Sequence, residues 1–226
     1  MPDSANERET PFFSDRFTEA LKYAVKMHNR QARKGSHGKV AYAGHLLGVC
    51  SLVIEEGGSE TQAIAALLHD AAEDQGGQKT LEEIRDQFGD AVADIVLACT
   101  DTLEEEKPDW CVRKKAYLEH LKDRDESALT VSLADKLFNA RAILHDYNEV
   151  GEKLWKRFKT GREGQLWYYR RLSAEFTRLL PKKPMTHELA GIVADLERLV
   201  ARDDAEGRLS PRPGSAAATK PRNDDD

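Results

Sequence analysis

From residue 14 onward, apolar residues recur at intervals of three and four, and no stretch shows the alternation of a half-buried strand. Residues 14–32 place Phe17, Leu21, Ala24, Val25 and His28 on one helical face, with Ser14 as N-cap. A second helix is predicted over 43–56, ending at Gly57-Gly58. Ser59 followed by Gln62 is a capping-box pattern, and it opens a helix predicted to run through ALLHDAAED to about Asp74. Thr80 with Glu83 is a second such pattern, and Gly89 closes the helix it starts. Further helices are predicted over 90–100, 108–123, 126–147, 162–180 and 187–202. The fold class implied is all-α, with about eight to ten helices.

The 226 residues suit one such domain, large enough to bury a core without disulfides. The expected division is a flexible start at 1–11, a domain at 12–204 and a tail at 205–226. The tail contains SPRPGSAAATKPRNDDD, has no aromatic residue, and lacks the apolar surface needed to order itself. Three cysteines and no CxxC pair fit a reducing, cytoplasmic compartment. No stretch is apolar and long enough to span a membrane, and the acid-bearing N-terminus has no secretory h-region. A net charge of -6 argues against general nucleic-acid binding. It leaves room for a small phosphorylated ligand held by a metal and a few local cations.

Three apolar helices carry polar groups that burial penalises. In ALLHDAAED, His69 and Asp70 are neighbours about 100° apart on a helix, and Glu73 and Asp74 lie one turn beyond them. Two pairs at different depths suggest two tasks, one of binding and one of proton transfer. Asp135 sits in the middle of LTVSLADKLFNARAIL, with Asn139 four residues on; a buried Asp needs a cation, a metal or several donors. His45 stands near the start of the helix in AYAGHLLGVCSLV. Each feature has a bland alternative: a lone histidine is usually structural, and Asp135 can pair with Lys136 or Arg141. The set H…HD…D across three apolar helices is more specific, and its mixed N/O donors suit a borderline divalent ion. No thiolate joins the set, which disfavours a structural zinc site.

With the motifs MHNRQARKGS, YAGH, ALLHDAAED, ACTD and LADKLFNAR, residues 14–180 resemble the HD-domain metal-dependent phosphohydrolases. Within them the chain is similar to the small alarmone hydrolases, relatives of the hydrolase half of the RelA/SpoT enzymes and of the metazoan Mesh1 type. The resemblance implies metal ligands at His45, His69, Asp70 and Asp135, with Mn²⁺ as the usual ion. It implies that Glu73 and Asp74 orient or deprotonate the attacking water. It implies substrate contacts from Arg33, Lys34 and Ser36 in a basic loop, from Tyr42 and from Asn139, while Lys136 is read as either facing substrate or balancing the acidic cluster. Arg162 and Tyr168 are candidates for phosphate or ribose contact, against the alternative that the aromatics of GREGQLWYYRRL belong to the core. The implied reaction removes the 3′-diphosphate of (p)ppGpp, giving GDP or GTP and pyrophosphate. An adenine alarmone, the 2′-phosphate of NADPH, and a metal-loaded sensor without turnover stay open as alternatives, as does an oligomer. Ala41 and Leu46 depart from the family, which often has proline at both positions.

Overall fold

The computed structural model describes residues 12–33, 39–104 and 108–207. Among these are ten α-helices: α1 (Asp15–Met27), α2 (Ala43–Glu55), α3 (Glu60–Leu68), α4 (Ala71–Gln75), α5 (Gly77–Phe88), α6 (Asp90–Cys99), α7 (Trp110–His120), α8 (Glu126–Val150), α9 (Gly161–Leu179) and α10 (Pro184–Ala205). Two 3₁₀ turns, Leu121–Asp123 and Gly151–Arg157, join them. The one extended pairing among the described residues is a single antiparallel bridge from Ala32 to Ala41. The expected loose start at 1–11 and residues 208–226 of the expected tail lie outside the described residues.

The core is built around α3 and α8. Ala63 to Leu68 of α3 are all fully buried, which six consecutive apolar residues achieve only when neighbours cover the helix on every side. α2, α6 and α8 supply that cover, and α1 packs on α3 as well. α8, 25 residues and so about 37 Å long, runs behind the site and carries Asp135, Lys136 and Asn139 on its buried middle turns. α2 and α8 approach closely at Gly48, where an added Cβ would overlap the Phe138 ring. Glycine there lets Phe138 lie with its ring centroid 5.3 Å from that of His45.

Several expected caps are present. The Ser14 side chain accepts from the Arg16 N–H, and Ser59 and Gln62 form the reciprocal box that starts α3. The expected unbroken helix to Asp74 is corrected: α3 stops at Leu68 and α4 starts at Ala71. The Ala66 carbonyl, the acceptor a continuous helix reserves for the Asp70 N–H, takes a hydrogen bond from His69 Nδ1 at 2.8 Å. The Thr80–Glu83 box is also corrected. Gly76 and Gly77, with φ of 155° and 60°, turn the chain early, so α5 already includes Thr80. Glu83 instead accepts from the Tyr23 hydroxyl at 3.1 Å. In α1 the buried stripe is Ala20, Ala24 and His28, while Val25 turns out to solvent. α10 starts at Pro184, three residues before the expected 187, because proline suits the first turn of a helix.

Candidate metal centre

Four donor atoms converge from α2, the break between α3 and α4, and α8. The break after Leu68 ends α3 at His69 and makes Asp70 the N-cap residue of α4, so two adjacent side chains point at one place. His45 enters from the first turn of α2, and Asp135 from the middle of α8. His45 Nε2 lies 3.2 Å from His69 Nε2, 3.4 Å from Asp70 Oδ2 and 3.3 Å from Asp135 Oδ1. His69 Nε2 lies 3.0 Å from Asp70 Oδ2 and 3.7 Å from Asp135 Oδ1. Two donors each about 2.1 Å from one ion are about 3.0 Å apart at a right angle and about 3.4 Å apart at the tetrahedral angle. The spacings among His45, His69 and Asp70 match ligands around a single divalent ion, and Asp135 Oδ1 stands against both histidines.

Tautomers agree with that use. His69 Nδ1 donates to the Ala66 carbonyl, so the neutral ring turns a lone pair on Nε2 toward the centre, the usual support for a ligating histidine. His45 Nδ1 is buried without a hydrogen-bond partner, so its orientation comes from packing between Tyr42 and Phe138. Asp135 Oδ2 accepts from Lys136 Nζ at 2.6 Å, and Oδ1 accepts from Asn139 Nδ2 at 2.6 Å while facing the histidines. Asp70 Oδ2 accepts from the Tyr42 hydroxyl at 2.5 Å.

Electrostatics point the same way. Burial opposes a charge on His69, yet Asp70 and Asp135 outweigh it and raise the imidazole well above its ordinary range. Burial equally opposes ionisation of Asp70, but His69 and His45 hold its carboxyl well below normal; Lys136 and the histidines do the same for Asp135. Lys136 stays charged: burial works against it, and Asp135 more than compensates. The cluster favours positive charge at its middle, which a proton or a divalent cation supplies.

A cleft of about 390 Å³ opens in front of this centre. Glu73 and Asp74, on α4, line it. Glu73 Oε2 accepts from the Asp101 N–H at 3.2 Å, and Asp74 Oδ2 accepts from Gln31 Nε2 at 2.7 Å. On another wall Arg33 donates to Asn139 Oδ1 at 2.9 Å and lies over the rings of Tyr42 and Phe138. Tyr42, Lys136 and Asn139 also line the cleft. Burial and Asp70 push the Tyr42 phenol far above its ordinary range, so it remains a hydrogen-bond donor.

The expected residues do not all meet. Lys34 and Ser36 lie outside the described residues. Arg162 is held away from the cleft: its Nη1 is 2.8 Å from Asp204 and 3.5 Å from Glu152, where it fastens the end of α10 to the start of α9. Tyr168 is buried behind the wall with Trp110 against its ring and Lys114 Nζ 5.2 Å from its centroid. Its neighbour Tyr169 lines the cleft instead, together with Gln165 four residues earlier.

Arg113 and Lys114 also line the cleft, although their stretch reads in the sequence only as a helix. Both pair with Asp101, a carboxylate just past α6 whose side chain is 3% exposed. Arg113 Nη1 reaches it at 3.0 Å and lies 4.0 Å from Glu73 Oε1. The signal was the ACTD motif: a buried aspartate demands a basic partner, and RKK is the run that supplies one. Gln31, inside MHNRQARKGS, carried no signal of its own.

Fold and site together define an all-α protein built around a His/Asp centre able to hold a divalent ion. Residues 20–166 match the HD domain, and the chain belongs to that family. Among its relatives are enzymes named guanosine-3′,5′-bis(diphosphate) 3′-pyrophosphohydrolase MESH1. The chain is 40% identical to that of Xenopus tropicalis over 127 residues, 55% of this chain and 68% of the relative. It is 33% identical to that of Homo sapiens over 143 residues, 62% of this chain and 74% of the relative. A solved structure described as a metazoan ortholog of SpoT that hydrolyzes ppGpp shares the fold, with a TM-score of 0.67, 23% identity and coverage of 82% of this chain and 98% of that one. A crystal structure of lmo0812 from Listeria monocytogenes EGD-e matches with a TM-score of 0.61 and 29% identity, over 68% of this chain and 99% of that one.

Proposed function

We propose that the chain is a manganese-dependent hydrolase that removes the 3′-diphosphate of (p)ppGpp, releasing pyrophosphate and GDP or GTP. The observation that carries this is one cleft lined by Asp70 and Asp135, with His45 and His69 against those carboxylates, beside a separate acidic pair and a basic aromatic wall, in a chain 40% identical to an enzyme bearing that name. His45, His69, Asp70 and Asp135 would hold the ion; oxygen and imidazole donors without thiolate suit Mn²⁺. Such an ion supplies Lewis acidity, polarising a phosphoryl oxygen and making water a better acid.

The chain's own groups divide the remaining work. Glu73 and Asp74 accept the proton of the attacking water. The oxygen of that water bonds to the phosphorus carried on ribose O3′, the P–O3′ bond breaks, and O3′ takes up a proton as the nucleotide leaves. Arg33, with its guanidinium over Tyr42 and Phe138, presents a planar cation to a base or phosphate. Tyr42 and Asn139 hold Asp70 and Asp135 in register, and Lys136 screens the buried carboxylate it adjoins. The test is purified protein with Mn²⁺ offered ppGpp, pppGpp, ppApp and NADPH separately, with products identified. Pyrophosphate from the guanine alarmones is expected. Phosphate from NADPH alone, or pyrophosphate from ppApp alone, reassigns the substrate; no product from any of the four removes the hydrolase.

A further inference from the structure

Gln31 lies just after α1 and just before the bridge from Ala32 to Ala41, and its four polar groups are all engaged. Its N–H donates to the His28 carbonyl at 3.0 Å, and its carbonyl accepts from the Tyr42 N–H at 3.0 Å. Its side-chain nitrogen donates to Asp74 Oδ2 at 2.7 Å. Its side-chain oxygen faces Gln75 Nε2 at 2.6 Å and His28 Nδ1 at 2.8 Å. Asp74 as a carboxylate can only accept, so the atom of Gln31 that meets it is the NH₂. The oxygen is then the atom turned to Gln75 and His28, and His28 carries its proton on Nδ1. The amide therefore has one orientation, set from three sides.

His28 is itself fixed. It is buried, and its ring stacks on Tyr42 with centroids 5.3 Å apart and planes 21° apart. Tyr42 is the residue whose hydroxyl holds Asp70. One small network thus joins the Ala32–Ala41 bridge, a group at the centre and the carboxylate of Asp74.

We infer that Gln31 is a positioning residue for the hydrolytic reaction: its amide sets the rotamer of Asp74 and couples that carboxylate to the Tyr42 wall of the cleft. This rests on the proposed role of Asp74 as an acceptor of the water's proton. Gln31 itself need not touch substrate, since its polar atoms are spent on protein partners.

A double-mutant cycle tests it in full-length, manganese-loaded protein, with wild type, Gln31→Ala, Asp74→Ala and the double variant assayed on ppGpp. Loss of a supporting hydrogen bond of this kind should lower kcat about tenfold with little change in KM. Manganese content by elemental analysis should stay at the wild-type level, because no donor of the centre is touched. In the Asp74→Ala background the Gln31 substitution should cost nothing further. The near-isosteric Gln31→Met keeps the bulk and removes the amide, and should match Gln31→Ala; it carries the test if the alanine variant misfolds. Equal fold-losses in the two backgrounds overturn the inference, as does a rise in KM at constant kcat. Unchanged kcat in Asp74→Ala alone marks the separate failure of the Asp74 assignment, and the coupling falls with it. Absence of turnover by the wild type, seen before any variant is made, is the failure of the hydrolase reading itself.

Discussion

At the residue scale, binding and proton transfer are assigned to different side chains, so they should separate on substitution. Asp135 offers Oδ1 to the centre while Lys136 and Asn139 occupy its remaining capacity. Asp135→Ala should abolish bound manganese and turnover together; elemental analysis showing full metal in that variant contradicts its assignment. Glu73→Gln should keep the metal and lower kcat by a factor of about 10² to 10⁴, the usual worth of a positioned base. Acid should act through the metal. Ligation needs a neutral His69, and the adjacent carboxylates, overcoming burial, raise its imidazole well above the ordinary range. Protons therefore compete with manganese at higher pH than they would at a free histidine. At limiting manganese, activity should rise as pH increases beyond the ordinary imidazole range, and excess manganese should restore it at the lower pH. An acidic limb that ignores manganese concentration would assign it to another group.

At the element scale, the informative contact is the crossing of α2 and α8. Gly48→Ala forces its Cβ into the Phe138 ring, and overpacking of this kind costs about 1–3 kcal/mol. Because Phe138 also packs on His45, the variant should show a lower denaturant midpoint and weaker manganese binding together; a normal midpoint would mean that the two helices separate freely. Most helices were legible from apolar spacing and from caps such as Ser14 and Ser59, which are local signals. The break at His69 was not. A side chain taking the acceptor of its own helix is decided by tertiary demand on that imidazole, and a strongly apolar run conceals it. The start of α5 was missed for a related reason: at Gly77 a Cβ would come within 2.8 Å of Leu103 O, a packing constraint between segments distant in sequence.

At the scale of the whole molecule, the centre ties α2, α3, α4 and α8 together, so a bound ion acts as a staple. At manganese a hundredfold above its dissociation constant, linkage adds about 2.7 kcal/mol. Chelation should lower the melting temperature, and manganese should restore it; identical melting with and without chelator would mean that the cluster binds no metal in solution. Legibility at this scale was uneven. His45, His69, Asp70 and Asp135 could be picked out because each is a polar group in a strongly apolar stretch of sequence. Arg113 and Lys114 were legible only through the aspartate of ACTD that they pair with, and Gln165 and Tyr169 were not, since polar and aromatic residues on an amphipathic helix look alike whether they face a cleft or solvent. Arg162 and Tyr168 show the converse: residues of the right chemistry that the packing of α9 turns toward ion pairs and core. Purified protein with Mn²⁺ and ppGpp should release one pyrophosphate per GDP formed, and lose that activity in Asp135→Ala; GDP production that persists unchanged in Asp135→Ala, or no pyrophosphate from the metal-loaded wild type, would contradict the proposed hydrolysis.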